Sequence, residues 1–233
     1  MARASDAFAR AEFAAAVEAY DEAAAGEGLT RPQLLELLSG RAIAKHAERD
    51  VAGAEQDLVA LLSLDPLAEL GEMAPPALQR ELARLRGELR GPLAIEVVAE
   101  PIPDGFVVRT VVREDLAALV RQVRVSWRTD EGWASATGAE VRVPVRPSLE
   151  YFAEAIGPGG AILAQEGSEA EPLVARAAIT AAPPVEAPPR GDDVPLIVGL
   201  TAGAVVIAAV VAIVLAVVLA PSGVQLSGPM ELP

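Results

Sequence analysis

The side chains able to do covalent or metal chemistry are few in this chain, and their spacing assembles no reaction centre. Its 233 residues hold one histidine, His46, and no cysteine, so disulfides, thiolate catalysis and a two-histidine or cysteine-rich metal site are excluded. The GxSxG turn of serine hydrolases and the phosphate-binding loops GxxxxGK(S/T) and GxGxxG are absent. Residues 157–160 (GPGG) are rich in glycine, but they lie between two predicted strands, whereas a phosphate-binding loop needs a helix behind it.

The acidic side chains do not predict a catalytic site either. Asp21 with Glu22, and Asp192 with Asp193, lie on a predicted helix surface and in a predicted linker, where no cleft encloses them. The net charge of −14 opposes contact with the phosphates of nucleic acid. We therefore predict a non-enzymatic protein with no metal ion, no cofactor and no nucleic-acid partner, in which His46 packs within a helix.

The segment with the clearest physical role is Val194–Ala220, whose 27 residues carry no charge. As a helix it would be about 40 Å long, enough to cross a hydrocarbon core of about 30 Å. We predict a transmembrane helix that binds the lipid bilayer. Within it, Gly199 and Gly203 form a GxxxG pair, which lets two helices approach closely and allows a homodimer.

The charged residues that flank the predicted span do not decide which side of the membrane residues 1–193 face. Residues 221–233 form a short tail without Lys or Arg, whereas Arg176 and Arg190 precede the span, so the positive-inside rule places residues 1–193 in the cytoplasm. The N-terminus lacks the apolar core of a signal peptide. A periplasmic location would need a signal peptide upstream of Met1. The composition favours a single-pass protein of the bacterial inner membrane.

The first 90 residues have a helical composition. Helices are predicted over residues 4–25, Leu34–His46 and Val51–Leu64, with Thr30 as the N-cap of the second. Residues 12–24 align with residues 50–62, an offset of 38. In both copies an apolar residue is followed three positions later by alanine and four positions after that by Tyr or Leu. A small or apolar residue comes three positions further on. Pro76–Arg90 is predicted as a capping helix with its leucines on one face.

This repeat resembles the tetratricopeptide repeat, in which paired helices pack through small residues with a period near 34 residues. The resemblance implies an inner groove that holds a partner peptide or helix near Tyr20, His46 and Leu58. The glycine usual at the turn between paired helices is replaced by Ala11 and Arg49. A plain antiparallel bundle of helices is the alternative fold, and Met1 falls inside the motif, so the first helix is expected to be short or to begin upstream.

After Gly91 and Pro92 the apolar period changes from 3.6 residues to two, which predicts strands over residues 93–100, 123–128, 141–146 and 149–156. The valine-rich residues 106–112 and residues 161–165, which follow a glycine-rich turn, are predicted as further strands. Six or seven short strands within residues 91–167 indicate an antiparallel β-sandwich similar to immunoglobulin or fibronectin modules. We expect Trp127 to fill its core, and Trp133 and Phe152 to pack in the core or a turn. Residues 168–193 are rich in proline, which predicts a semi-extended, disordered linker.

Together these patterns predict an α+β multidomain protein with one C-terminal transmembrane helix. Its predicted segments are a repeat domain (1–90), a β-sandwich (91–167), a linker (168–193), the span (194–220) and the tail (221–233). The function that fits this order is a membrane-anchored scaffold or adaptor whose helical repeat binds a protein partner. The alternative is a single-pass envelope sensor that dimerises through its transmembrane helix.

Overall fold

A computed structural model describes residues 1–145 and 147–177 of the chain. The described residues all belong to one compact unit. The predicted span Val194–Ala220, with Gly199 and Gly203, lies outside the described residues, as does most of the predicted linker. Within the described ranges, no helix has both the length and the apolar character that crossing a membrane requires.

The described residues form a mixed α+β fold in which helices come first and antiparallel strands follow. The helices are α1 (Ala2–Ala9), α2 (Phe13–Ala25), α3 (Arg31–Ala47), α4 (Val51–Leu64) and α5 (Pro76–Glu88). The strands are β1 (Ala94–Ile102), β2 (Gly105–Arg113), β3 (Gln122–Thr129), β4 (Gly132–Thr137), β5 (Glu140–Val143), β6 (Ser148–Ile156), β7 (Ile162–Glu166) and β8 (Leu173–Arg176).

Local sequence signals account for most helix boundaries. The predicted bounds of α4 are confirmed, and Asp50 caps its first turn by accepting a hydrogen bond from the backbone N–H of Gly53. Thr30 is confirmed as the N-cap of α3, where it forms a capping box with Gln33. The segment 4–25, predicted to be helical, contains two helices, because the chain turns at Ala11, where the repeat alignment places a turn between paired helices.

The two helix–helix turns have the same geometry at an offset of 38 residues. Ala11 and Arg49, which are 38 positions apart, both adopt left-handed backbone angles, with φ of 59° and 66°. In the first turn the N–H of residue 12 donates to the carbonyl of Ala7, and in the second the N–H of residue 50 donates to the carbonyl of Lys45. Both are Schellman endings that satisfy the last carbonyls of the preceding helix. The first helices of the two hairpins, α1–α2 and α3–α4, therefore end in the same way.

One hydrophobic cluster holds the helices together. Its most buried side chains are leucines of α3 and α4, among them Leu34, Leu37, Leu58 and Leu62, all with no exposed surface. Small alanines fill the contacts between helices, which lets the axes approach closely. Leu119 and Leu163, from the strand region, belong to the same cluster.

The strands form two antiparallel sheets. The first has the order β1-β2-β5. The second has the order β4-β3-β6-β7, and β8 pairs with the first half of β6 while β7 pairs with the second half. Alternate side chains of both sheets meet in a second hydrophobic cluster, to which β1, β2, β3, β5 and β6 all contribute.

The largest fully buried side chain of this second cluster is Phe106, at the start of β2. The prediction that Trp127 fills the core is wrong, because Trp127 is half-buried and packs at the border of this cluster. Trp133 and Phe152 pack edge to face with ring centroids 5.0 Å apart, and the Arg128 guanidinium lies over the Trp133 ring. This aromatic pair is on the face of the second sheet that points away from the first.

Two strands were not predicted. β4 was missed, and β8 falls in the segment predicted to be a disordered linker. β8 is held to β6 in the register Leu149 opposite Ala175. Residues 168–171 form a turn that brings the chain to β8, in which the Glu171 N–H donates to the Ser168 hydroxyl. Ordered backbone therefore extends to at least residue 177.

The helical and strand regions belong to one compact unit and touch at several points. The backbone N–H of Leu93 donates to the Ser63 carbonyl at the end of α4, and that of Leu29 donates to the Gly159 carbonyl. Gly159 has a φ of 63°, and a Cβ atom there would collide with the Leu29 side chain. The loop before α3 is therefore packed against the Pro158–Gly160 turn.

Candidate protein-binding groove

A cavity lies between the α3–α4 hairpin and the loop that connects β2 to β3. Its volume is about 730 Å³. We call it the α3–loop groove. Residues 116–119 and Arg121 line it from the loop side, and α3 and α4 line it from the other. The α3 and α4 residues Leu34, Leu37, Leu38 and Ala60 are buried, with at most 3% exposure, so the apolar surface open to a ligand comes from other residues, among them Val59 and residues 116–118.

One carboxylate, that of Asp115, holds the loop side of the groove in its conformation. Asp115 accepts hydrogen bonds from the backbone N–H groups of Leu119 and Val120, at 2.7 and 3.0 Å. These bonds fold residues 115–120 into a compact turn in which Ala118 has a left-handed φ of 50°. Leu119 is buried against the helices, while the Leu116 side chain is 59% exposed beside the groove. The loop therefore presents one large apolar side chain to solvent.

A group of paired charges lines another part of the groove. Asp57 on α4 has a side chain only 4% exposed, and it accepts two hydrogen bonds from Arg41, at 2.6 and 3.0 Å. The Lys45 ammonium lies 2.9 Å from the same carboxylate, and Arg41 also pairs with Asp21 at 2.6 Å. Burial opposes the charge of Arg41, but the carboxylates of Asp57 and Asp21 outweigh it and raise the pKa of the guanidinium.

Arg121 differs from Arg41 and Lys45. It is exposed, it lines the groove, and no acidic side chain among residues 1–145 and 147–177 pairs with it. The cations at Arg41 and Lys45 are already matched by Asp57 and Asp21. A ligand in the groove would therefore find one unmatched positive charge, at Arg121, beside an apolar surface.

The structure places the three residues predicted to contact a partner elsewhere. Tyr20 and Leu58 are buried, with 3% and 0% exposure, and both belong to the core of the helices. A side chain without exposed surface can touch a partner only if the core opens, so the predicted contacts of Tyr20 and Leu58 would need such an opening. His46 is half-buried in the last turn of α3. None of the three lines the α3–loop groove.

The sequence did not predict the groove because the residues on its two sides lie far apart in the chain. Arg121 and Leu116 come from a loop about 75 residues after α3, and no local pattern links them to it. The acidic and histidine side chains of the described ranges form no group of three or more that is arranged to hold a metal ion. The chemistry available in this groove is apolar contact, hydrogen bonding and ion pairing.

Comparison of the chain with protein-family models, with curated proteins and with solved structures finds no match. The resemblance to the tetratricopeptide repeat therefore depends on the residues quoted above.

Proposed function

We propose that this protein is a non-enzymatic, membrane-anchored scaffold that binds a protein partner through its helical hairpins. The observation that carries the proposal is the α3–loop groove, where the exposed Leu116 and the half-buried Val59 and Ala117 line the same surface as one unmatched cation. Clefts with mainly apolar walls and a few polar groups are the usual sites of binding in proteins. The repeated hairpin geometry supports the likeness to tetratricopeptide repeats, which we propose as the family of the helical segment.

The groove favours a particular kind of partner segment. Leu116, with the half-buried Val59 and Ala117, suits an apolar side chain, and Arg121 suits a carboxylate of the same segment. A helix or peptide with apolar residues and at least one acidic residue would satisfy both. Oppositely charged groups at the rim of an interface contribute mainly to specificity and to the rate of association.

Anchoring is proposed from the sequence of Val194–Ala220, which is long and apolar enough to span a bilayer. The paired sheets would act as a rigid spacer between the hairpins and that segment. We propose a location in the bacterial inner membrane. Reporter fusions after Met1 and after Pro233 would give the topology, and removal of residues 194–220 should release the protein from the membrane fraction.

The groove is tested with a photo-cross-linking amino acid placed at Leu116 in the full-length chain, in membranes of cells that express it. We expect a defined protein adduct, which mass spectrometry identifies. The matched control is the same amino acid at Leu67, which is 82% exposed and does not line the groove. That position should give no adduct with the same partner.

The charge requirement is tested in the same experiment. Arg121→Glu should abolish the adduct at position 116, whereas Arg121→Lys should retain most of it, because the positive charge remains. An adduct of equal yield at positions 116 and 67, or one insensitive to Arg121→Glu, would show that the groove is not the binding site.

A further inference from the structure

The strand β4 is an open edge of the second sheet, and its pairing with β3 shows which backbone groups face outward. Thr129 and Gly132 flank the two-residue turn and form the first hydrogen-bonded pair. Hydrogen-bonded and non-bonded pairs alternate in an antiparallel ladder. The backbone N–H and C=O groups of Trp133, Ser135 and Thr137 therefore point away from β3. The described residues supply no further strand on this side.

The composition of β4 distinguishes it from the other edges. Natural sheets protect exposed edges with charged side chains or proline. Each of the other outer strands has such a residue: Pro101 in β1, Arg142 in β5, Glu166 in β7 and Arg176 in β8. β4, with the sequence GWASAT, has none. Its Ser135 and Thr137 side chains are exposed, and the rest of the strand is half-buried.

We propose that β4 is a self-association edge, at which two copies of this chain pair antiparallel about a two-fold axis. With Ser135 opposite Ser135 of the second copy, Trp133 lies opposite Thr137, and all three outward-facing residues of each copy enter the new ladder. The paired segment is neutral in both copies, so no like charges meet within it. The acidic residues Asp130 and Glu131 are in the turn before the strand and lie outside this register.

This association is weak by its size. Five paired residues bury less surface than a standard protein interface. Two copies held in one membrane would meet at a raised effective concentration, which favours a small interface. The raised effective concentration depends on the proposed membrane anchoring, whereas the pairing of β4 with a second β4 does not. The test therefore traps the pair covalently and gives the register, in membranes and again with purified protein in detergent at high concentration.

The chain has no native cysteine, so single substitutions report the register directly. Hydrogen-bonded antiparallel partners have Cα atoms about 5.5 Å apart, within the range of a disulfide. Full-length Ser135→Cys should form a disulfide-linked dimer under mild oxidation. Thr137→Cys is the matched control on the same face of the same strand. The Cα atoms of residue 137 in the two copies would lie about 14 Å apart in this register. The Thr137→Cys variant should therefore remain monomeric on a non-reducing gel.

A second variant separates pairing from random collision. Thr137→Pro, combined with Ser135→Cys, removes an outward N–H donor from each copy, and proline is tolerated at a free edge. We expect the disulfide-linked dimer to fall at least fivefold while the circular dichroism spectrum is unchanged. Equal trapping of Ser135→Cys and Thr137→Cys, or no trapping of Ser135→Cys in either setting, would overturn the proposal. Trapping that occurs in detergent but not in membranes would count against the proposed anchoring and leave the pairing of β4 supported.

Discussion

Replacement of Asp57 by Asn should be the most damaging single change among the polar residues of the helices. The Asp57 carboxylate is the shared partner of Arg41 and Lys45, and its side chain is 4% exposed. Asn has nearly the same shape, but it carries no charge. The substitution would leave two cations, each with a side chain 16% exposed, without the anion that balances them in the interior.

The size of the effect follows from the burial of the partners. Removal of one member of a buried ion pair typically costs about 3–5 kcal/mol, because the remaining charge is unpaired in a poorly solvated site. Arg41 keeps its contact with Asp21, and both cations retain some contact with water. We therefore expect the lower end of that range, a decrease of about 3 kcal/mol in the free energy of unfolding.

The assay is urea denaturation of the full-length protein in detergent, followed by far-ultraviolet circular dichroism. Asp21→Asn is the matched control. The Asp21 side chain is 58% exposed, and exposed ion pairs contribute less than about 1 kcal/mol. If Asp57→Asn lowers the free energy of unfolding no more than Asp21→Asn does, the interpretation of a buried, balanced cluster is refuted.

A further variant separates charge balance from packing. Simultaneous replacement of Asp57 by Leu and of Arg41 and Lys45 by Met removes all three charges while keeping similar volumes. Apolar replacement of a whole buried ion pair is often neutral or stabilising. The triple variant should therefore regain most of the stability that Asp57→Asn loses. It should also leave the Arg121-dependent cross-link in place if the cluster serves only the fold.

Three other predictions concern the helical packing and the tyrosines. Gly40→Ala should destabilise the protein by about 1–2 kcal/mol in thermal unfolding, because the new Cβ would lie 2.7 Å from Cζ of the buried Tyr20; a gain in stability, as helix propensity alone predicts, would contradict this. Ala11→Gly and Arg49→Gly should each stabilise by up to about 1 kcal/mol in urea, since both positions have left-handed backbone angles; a loss at either position would show that its side chain contributes more than the strain costs. Burial raises the pKa of both Tyr20 and Tyr151, with nearby carboxylates adding to the effect in each. Since the unfolded phenols ionise near pH 10, the stability from these neutral phenols should be complete below about pH 10 and be lost as the pH rises through the raised pKa values. Chemical denaturation between neutral and alkaline pH checks this, and Tyr20→Phe should reduce the slope.

The elements that could be predicted are those whose signals are local. α4 was predicted at its observed bounds because its helical pattern ends before an Asp-Pro pair, Asp65 and Pro66. Strands β1, β3, β5 and β6 were predicted because their apolar residues alternate, and β2 because it is rich in valine. β4 escaped notice because its alternating residues are alanine and serine, which carry little hydrophobic contrast. β8 was hidden by the prolines on either side of it.

Composition does not indicate the break between α1 and α2, because Ala11 is a strong helix former, and only the repeat alignment placed a turn there. The left-handed conformation of Ala11 is imposed by the packing of the two helices against each other, which outweighs the local preference. The positions of Tyr20 and Leu58 were likewise decided by tertiary packing. An apolar residue on a repeat helix can face the core or a groove, and the sequence period is the same in both cases.

By itself, the sequence determined the chemistry that is absent, the order of helices before strands and the presence of one long apolar segment. Each of these depends on residue type or on a short period, which are properties of the chain before it folds. Tertiary structure alone decided that Arg121 and Leu116 lie beside α3, that Asp57 balances two cations, and that β4 is left as a neutral open edge. These features join residues far apart in the chain, and their contact energies exist only once the hydrophobic clusters have brought the segments together.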